Sequence, residues 1–336
     1  MLCCPNCFKF DEIKAIINDI STTIGVCDYC GSSDIKVIDA REIIEPFQPL
    51  LAIYEISSVG GTLLCDILQS EWKIFNLPSN KINDLFSDMF SDEKSLDKSI
   101  FSKLVVNKTH NHRFPKILVL QWTALRTEII EKNRFFLETV IDLDQLKTYL
   151  YDKEIFYRKG QKFFRGRIST ESGLLKDDIG KPPKDKATAG RANPKGIPYL
   201  YLSTDKETTL YETRATYLDY ITIGSFQLKE DIRIVKLRSV EITNPFEEKL
   251  FEKLLYQPFL KRLESDLAQP LRRFDSELDY LPTQYLCEYI KFIGFDGVEY
   301  GSAMNKGGIN IAIFDDSKFE CVDLEVVEIK KIEISV

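Results

Sequence analysis

Apolar positions along this chain follow two rhythms, and the change between them falls near residue 150. Before it, helical spacing dominates. Ile43, Ile44, Phe47, Leu50, Leu51 and Tyr54 recur as one face of a helix, interrupted by Pro46 and Pro49. Leu63, Leu64, Ile67 and Leu68 repeat the pattern after Gly60-Gly61, with Trp72, Phe75 and Leu77 joining the same core. Ile82, Leu85, Phe86, Met89 and Phe90 predict a further amphipathic helix. Ser91 to Ser102 is polar and reads as a loop, and Leu118 to Phe136 and Leu143 to Leu150 read as mostly helical. From Ile155 onward, short runs rich in β-branched and aromatic residues predict strands. They are Phe163 to Ile168, Ile197 to Ser203, Ile221 to Leu228, Ile232 to Leu237, Val298 to Gly301, Asn310 to Phe314 and Val322 to Ile334. Two helical stretches interrupt them. One is Phe246 to Leu267; the other opens at Tyr280 and stops at Gly294, a good C-terminal cap. Antiparallel-looking strands with few helices predict an α+β fold.

Composition narrows the class. A chain of 336 residues exceeds one small domain. Hydrophobic content of 44% and charged content of 29% describe an ordinary globular protein. The net charge of −7 argues against non-specific nucleic-acid binding over the whole surface. No apolar run reaches bilayer-spanning length, and MLCCPNCFKF lacks a basic stretch followed by an apolar one. The expectation is a cytoplasmic protein with neither a membrane partner nor a nucleic-acid one.

The cysteines change the picture of the N-terminus. Cys4-Pro-Asn-Cys7 and Cys27-Asp-Tyr-Cys30 are two CxxC pairs nineteen residues apart. Each pair lets two thiolates converge on one ion, and two pairs complete a tetrahedral Zn²⁺ shell. Residues 1–38 are therefore expected to form a zinc-ribbon-like knuckle, with Cys3 an alternative ligand to Cys4. Four protein ligands leave no open position, so the zinc is structural. Few basic residues flank the knuckle. Cys65, Cys287 and Cys321 are isolated and read as buried apolar residues. With His110 and His112 the only histidines, a Ser/His/Asp triad is nearly ruled out by supply.

The stretch with most candidate chemistry is Gly190 to Glu212, GRANPKGIPYLYLSTDKETTLYE. It reads as loop, strand, turn and helix. Ser203, Thr204 and Asp205 can each cap the helix, and Leu210, Arg214 and Tyr217 continue it, so Glu212 is expected in its early turns. Taken singly, Arg191, Tyr201 and Glu212 would be a surface Arg, a packed Tyr and a solvated Glu. As a string, G-R-x-N-P-x-G-x-P-x-x-Y-x-S followed by Y-E-T-R resembles the RES domain family. Gly297-Val-Glu-Tyr-Gly-Ser302 supplies the late Ser of that family, and Phe163-Phe164-Arg165 matches its earlier Arg-bearing strand. The resemblance runs from about Ile155 to the C-terminus.

It implies an ADP-ribosyltransferase-like core, which periodicity alone cannot show. It also implies that residues 151–336 are the catalytic domain of an NAD⁺-degrading toxin or phage-defence effector. Residues 39–150 are similar in position to the helical HEPN-like domain that accompanies some RES domains. They lack the Arg-then-His of a HEPN ribonuclease, because Arg113 follows both histidines, so the block is expected to serve in docking or regulation. An antitoxin or sensor protein is the partner expected through residues 1–150.

The residue types suit cleavage of the nicotinamide–ribose bond. Arg191 and Arg165, and more weakly Arg167, offer guanidinium forks to the pyrophosphate, with Asn193 beside them. Tyr201 can stack on the cationic nicotinamide. Glu212 can stabilise oxocarbenium character and hold ribose hydroxyls. Neutral nicotinamide leaves without a proton, so no general acid is needed. Ser302 can bond the ribose, bond the nicotinamide amide, or orient the acceptor. That acceptor is inorganic phosphate or water. Two other readings stay open: an ADP-ribosyltransferase acting on a macromolecule, and a non-catalytic zinc-ribbon interaction protein. There is no G-x-G-x-x-G, Walker or G-x-S-x-G motif.

Overall fold

The computed structural model describes residues 1–139, 141–239, 241–269 and 276–332. The chain divides into two compact units, the first formed by 1–116 with 241–257 and the second by 117–240 with 258–336. The boundaries expected after residues 38 and 150 therefore fall inside units.

In the first unit, β1 (Leu2–Cys3), β2 (Thr23–Gly25) and β3 (Ile35–Asp39) form a sheet in the order β1-β3-β2. A second sheet, β4-β6-β5, comprises β4 (Tyr54–Ile56), β5 (Thr62–Leu63) and β6 (Leu104–Asn107). The helices are α1 (Asp11–Ile20), α2 (Ile44–Ala52), α3 (Leu64–Ser70), α4 (Ser79–Met89) and the single turn α5 (Lys108–Asn111). The block expected to be α-rich thus carries a sheet of its own. Helix α2 runs through both prolines. Pro46 falls in the first turn, where the amide has no intrahelical acceptor, while Pro49 lies inside. Phe8, next to the cysteine pairs, packs on Phe47 and Phe75 with ring centroids 6.1 and 5.3 Å apart. Phe246, returned from far along the chain, meets Phe47 edge-on at 5.1 Å. The cysteine knuckle and the helices after it thus share one core, and residues 1–38 do not stand apart as a domain.

The second unit is built on an eight-stranded sheet. Its strands are β7 (Glu154–Tyr157), β8 (Lys162–Ser169), β9 (Leu200–Ser203), β10 (Tyr220–Leu228), β11 (Ile232–Leu237), β12 (Gly297–Gly301), β13 (Ile309–Ile313) and β14 (Phe319–Glu328). The order is β14-β10-β8-β9-β13-β12-β11-β7, antiparallel throughout except for β11 with β12. The strand expected to reach Ile334 stops at Glu328, and Ile334 lies outside the described residues. The helices are α6 (Arg113–Glu131), α7 (Leu143–Tyr151), α8 (Lys176–Ile179), α9 (Lys206–Thr213), α10 (Leu250–Ala268) and α11 (Leu281–Phe292). Residues 113–116 of α6 and 250–257 of α10 count with the first unit. Trp122 of α6 is fully buried, packs against Phe259 and donates Nε1–H to Asp266 Oδ2 at 2.7 Å. Arg126 and Arg262 pair with the same carboxylate, so a buried charge is neutralised where desolvation would otherwise be costly. Among the described residues no helix is long and apolar enough to cross a membrane.

Candidate active site

The large sheet nearly parts between β8 and β9, which share one residue pair, Phe164 with Ser203. On its other side β9 pairs fully with β13. Arg165 fills the backbone gap, its Nη1 donating to the Tyr201 carbonyl at 2.9 Å. Helix α9 leaves the end of β9 and packs on β8 at Gly166. A Cβ on Gly166 would stand 2.9 Å from Thr213 Cγ2 and 3.2 Å from the Thr209 carbonyl, so glycine is what lets the helix lie this close.

Asp205 caps α9, accepting from the Thr208 amide at 2.7 Å. The helix ends at Thr213 because Arg214 turns left-handed, with φ of 51°. Glu212 therefore sits in the last turn and not, as the apolar spacing through Tyr217 suggests, in the early ones. Its Oε1 accepts from Ser302 Oγ and from Asn310 Nδ2, both at 2.6 Å. Asn310 is itself set by Ser203, whose hydroxyl donates to Asn310 Oδ1 at 2.8 Å. Both bonds fall on Oε1, and among the described residues Oε2 has no hydrogen-bond partner.

The Arg191 loop is held from two sides. Tyr201 donates its hydroxyl to Asn193 Oδ1 at 2.7 Å and accepts from the Ala192 amide at 3.1 Å. From α11, Thr283 donates to the Arg191 carbonyl at 2.6 Å and Gln284 Nε2 to the Gly190 carbonyl at 2.8 Å. Gly190 has no room for a side chain, since a Cβ would lie 2.5 Å from Asn193 Oδ1 and 2.6 Å from the Tyr201 hydroxyl. Arg191 is 9% exposed and its Nη1 donates to the Ala268 carbonyl at 3.3 Å.

These elements enclose a cavity of about 390 Å³. Arg165, Arg191, Tyr201 and Glu212 line it, together with Arg214 and Tyr300. Among the described residues, three guanidinium groups against one carboxylate make it a basic cleft suited to an anion. Burial, with the like charge of Arg167, lowers Arg165 to about 10, so it stays cationic at neutral pH. Burial pushes the Tyr201 and Tyr300 hydroxyls up, keeping both neutral. Ser302 and Asn193 are not wall residues. They act one step back, on Glu212 and on Tyr201. Arg167 is exposed and donates to the Asp178 carbonyl at 2.5 Å, away from the cavity wall.

A family model described as the RES domain matches residues 166–334, half of the chain. The chain belongs to the RES domain family. No curated protein matches it significantly. Among solved structures, a chain of the MbcT-MbcA toxin-antitoxin complex of M. tuberculosis is 14% identical, with a TM-score of 0.34. The match covers 55% of this chain and 93% of that one.

Arg214 and Tyr300 stand inside the Y-E-T-R and Gly297–Ser302 strings, where no role is expected of them, and Asn310 and Thr209 lie outside the strings that carry the resemblance. Asn310 carries a local signal, a lone amide in the apolar strand Ile-Asn-Ile-Ala-Ile. The others reach the cavity through strand pairing and the turn of α9, which spacing does not report.

In the first unit, the sulfurs of Cys4, Cys7, Cys27 and Cys30 lie within 4.8 Å of one another. Cys4 is 4.0 Å from Cys7 and 3.4 Å from Cys30, and Cys7 is 3.4 Å from Cys27. A tetrahedral shell with Zn–S bonds of about 2.3 Å sets its sulfurs roughly 3.8 Å apart, so this donor set fits zinc. Cys3 is buried but stands outside the cluster.

Proposed function

We propose that this RES protein cleaves the nicotinamide–ribose N-glycosidic bond of NAD⁺, acting as a toxin or defence effector, on an ADP-ribosyltransferase-like core. The observation that carries the reading is Glu212 in a cleft with three arginines, its Oε1 taken by Ser302 and Asn310 and its Oε2 without a partner among the described residues. The activity that the RES resemblance implies agrees with it. Arg191 and Arg165 take the pyrophosphate. Tyr201 flanks the nicotinamide ring, with its hydroxyl tied back to the Arg191 loop. Glu212 faces the ribose. As the C1′–N bond breaks, the electron pair leaves with nicotinamide and positive charge develops at C1′ and the ring oxygen. The carboxylate stabilises that charge from the wall of the cleft. An oxygen of phosphate or water then bonds to C1′ and gives up its proton to solvent. Ser302 orients Glu212.

Cys4, Cys7, Cys27 and Cys30 hold a structural zinc, which supplies folding energy to the first unit and no chemistry to the reaction. The first unit, with the rest of residues 1–150, is the docking surface for an antitoxin or sensor.

The test is NAD⁺ consumption by purified protein, with and without phosphate, beside Glu212→Gln. Loss of NAD⁺ that falls by about 10²-fold or more in Glu212→Gln supports the reading. A phosphate-dependent product identifies a phosphorylase and free ADP-ribose a hydrolase. Labelled ADP-ribose on a macromolecule identifies a transferase. No consumption under any of these conditions overturns it.

A further inference from the structure

Helix α9 carries three threonines, and their hydroxyls do different things. Thr208 Oγ1 bonds the capping Asp205 at 2.8 Å, and Thr213 Oγ1 bonds the Leu210 carbonyl at 2.7 Å. These are the usual local uses of a helical hydroxyl. Thr209 is 2% exposed, and its Oγ1 is buried with no hydrogen-bond partner among the described residues. It lies three residues before Glu212, on the same face of the helix, and lines the same cavity. Arg165 of β8, which lines the same cavity, repeats the pattern. Arg165 commits Nη1 to the Tyr201 carbonyl, while its Nε–H is buried without a partner. Five buried side-chain polar atoms among the described residues lack a partner, and these are the two on the cavity wall. A buried donor left unsatisfied costs free energy. Two such donors in one basic cleft point to a ligand that accepts from both.

We propose that Arg165 Nε–H and Thr209 Oγ1–H form a subsite for one phosphate oxyanion. Gly166 makes the subsite possible, since Thr209 Cγ2 would stand 3.2 Å from a Cβ there. The oxyanion is either a pyrophosphate oxygen of the dinucleotide or a free phosphate acceptor. Naming those two sources rests on the NAD⁺ reading above; the subsite chemistry does not.

The experiment uses the full chain carrying Glu212→Gln, so that NAD⁺ is not turned over, with and without Thr209→Val. NAD⁺ and inorganic phosphate are titrated separately by calorimetry, and the ligand-free proteins are melted. Removing a hydrogen bond to a charged group is expected to raise the Kd about tenfold or more. A rise for NAD⁺ alone assigns the subsite to the pyrophosphate, and a rise for phosphate alone assigns it to the acceptor. The ligand-free Tm is expected to hold or rise, because a methyl replaces an unpartnered buried hydroxyl. Thr209→Ser, which keeps the hydroxyl, is expected to bind as the parent does. If phosphate binding weakens although NAD⁺ never binds, the subsite stands and the NAD⁺ reading falls. Unchanged Kd for both ligands, or weaker binding accompanied by a lower Tm, overturns the proposal.

Discussion

Glu212 is placed by two donors that differ in how the sequence announces them. Ser302 sits in a stretch that resembles the family, whereas Asn310 is one polar residue in an apolar strand. Both bond the same oxygen at 2.6 Å, so both are expected to matter for the same step. Asn310→Ala should lower kcat roughly tenfold to a hundredfold with a smaller change in KM, the size of one lost bond to a charged group. Steady-state kinetics beside Ser302→Ala check this, and an unchanged kcat in Asn310→Ala would show that Ser302 alone sets the carboxylate. Gly166→Ala tests the closeness of α9 to β8. The added methyl meets Thr213 Cγ2 at 2.9 Å and the Thr209 carbonyl at 3.2 Å. Overpacking of this kind costs about 1–3 kcal/mol, so a lower urea midpoint and a larger loss of kcat are expected together. The buried tyrosine gives a pH dependence. Burial raises Tyr201 well above its ordinary value of 10. Its contribution to stability is therefore complete below about pH 10, where the unfolded hydroxyl begins to ionise, and is lost as pH rises toward the folded value. The Tm measured from pH 8 to 11 should fall above about 10, and Tyr201→Phe should make that fall shallower.

At the level of elements, most strands of the RES unit were legible because each is a short β-branched or aromatic run, but β7 was not among those expected, β9 starts three residues after Ile197, and β14 spans Phe319–Glu328 where the pattern puts a strand over Val322 to Ile334. Ile232–Leu237 appears where the pattern puts it, and β8, β10, β12 and β13 differ by a residue or so at their ends. Helix α9 was legible at its start, where Asp205 caps it, and not at its end. Leu210, Arg214 and Tyr217 keep helical spacing, but Arg214 leaves the helix at φ of 51°, and nothing in the sequence marks an arginine for that conformation. The pairing order of the strands was not legible at all. The near-parting of β8 from β9, which gives the cavity its floor, is a long-range property of the sheet and not of either strand. Helix α11 shows the same limit. Its apolar face reads as a core helix, yet Thr283 and Gln284 at its start hold the Arg191 loop. Gln284→Ala frees the Gly190 carbonyl and is expected to raise KM for NAD⁺ severalfold while kcat changes less. A variant that loses kcat alone would show that the loop does not need this bond.

For the whole molecule, the order of the chain and the order of its units differ, and this decides which cuts it tolerates. The first unit takes residues 241–257 from between strands and helices of the second, and Leu250 is buried in its core with Phe246 and Leu254 packed alongside. Helices α6 and α7, although they precede the RES strands, belong to the second unit apart from residues 113–116, and there Trp122, Leu125, Leu146 and Leu150 are buried. A chain beginning at residue 151 would leave Asp266 without Trp122 and Arg126 and would open that core. It is expected to be insoluble or unfolded, whatever its activity. The knuckle is the better place to perturb the first unit. Zinc held by four thiolates contributes its binding free energy to folding, because the site does not exist in the unfolded chain. Purified protein should contain one zinc per chain by elemental analysis, and a strong chelator should lower the Tm. Cys27→Ser should abolish the metal and lower the Tm to a similar extent. Because Phe8 joins the knuckle to the aromatic cluster of Phe47 and Phe75, melting should extend to α2 and the residues around it. Hydrogen exchange on the chelated protein measures that extent. Loss of protection confined to residues 1–38 would show that the knuckle folds independently of the core it touches.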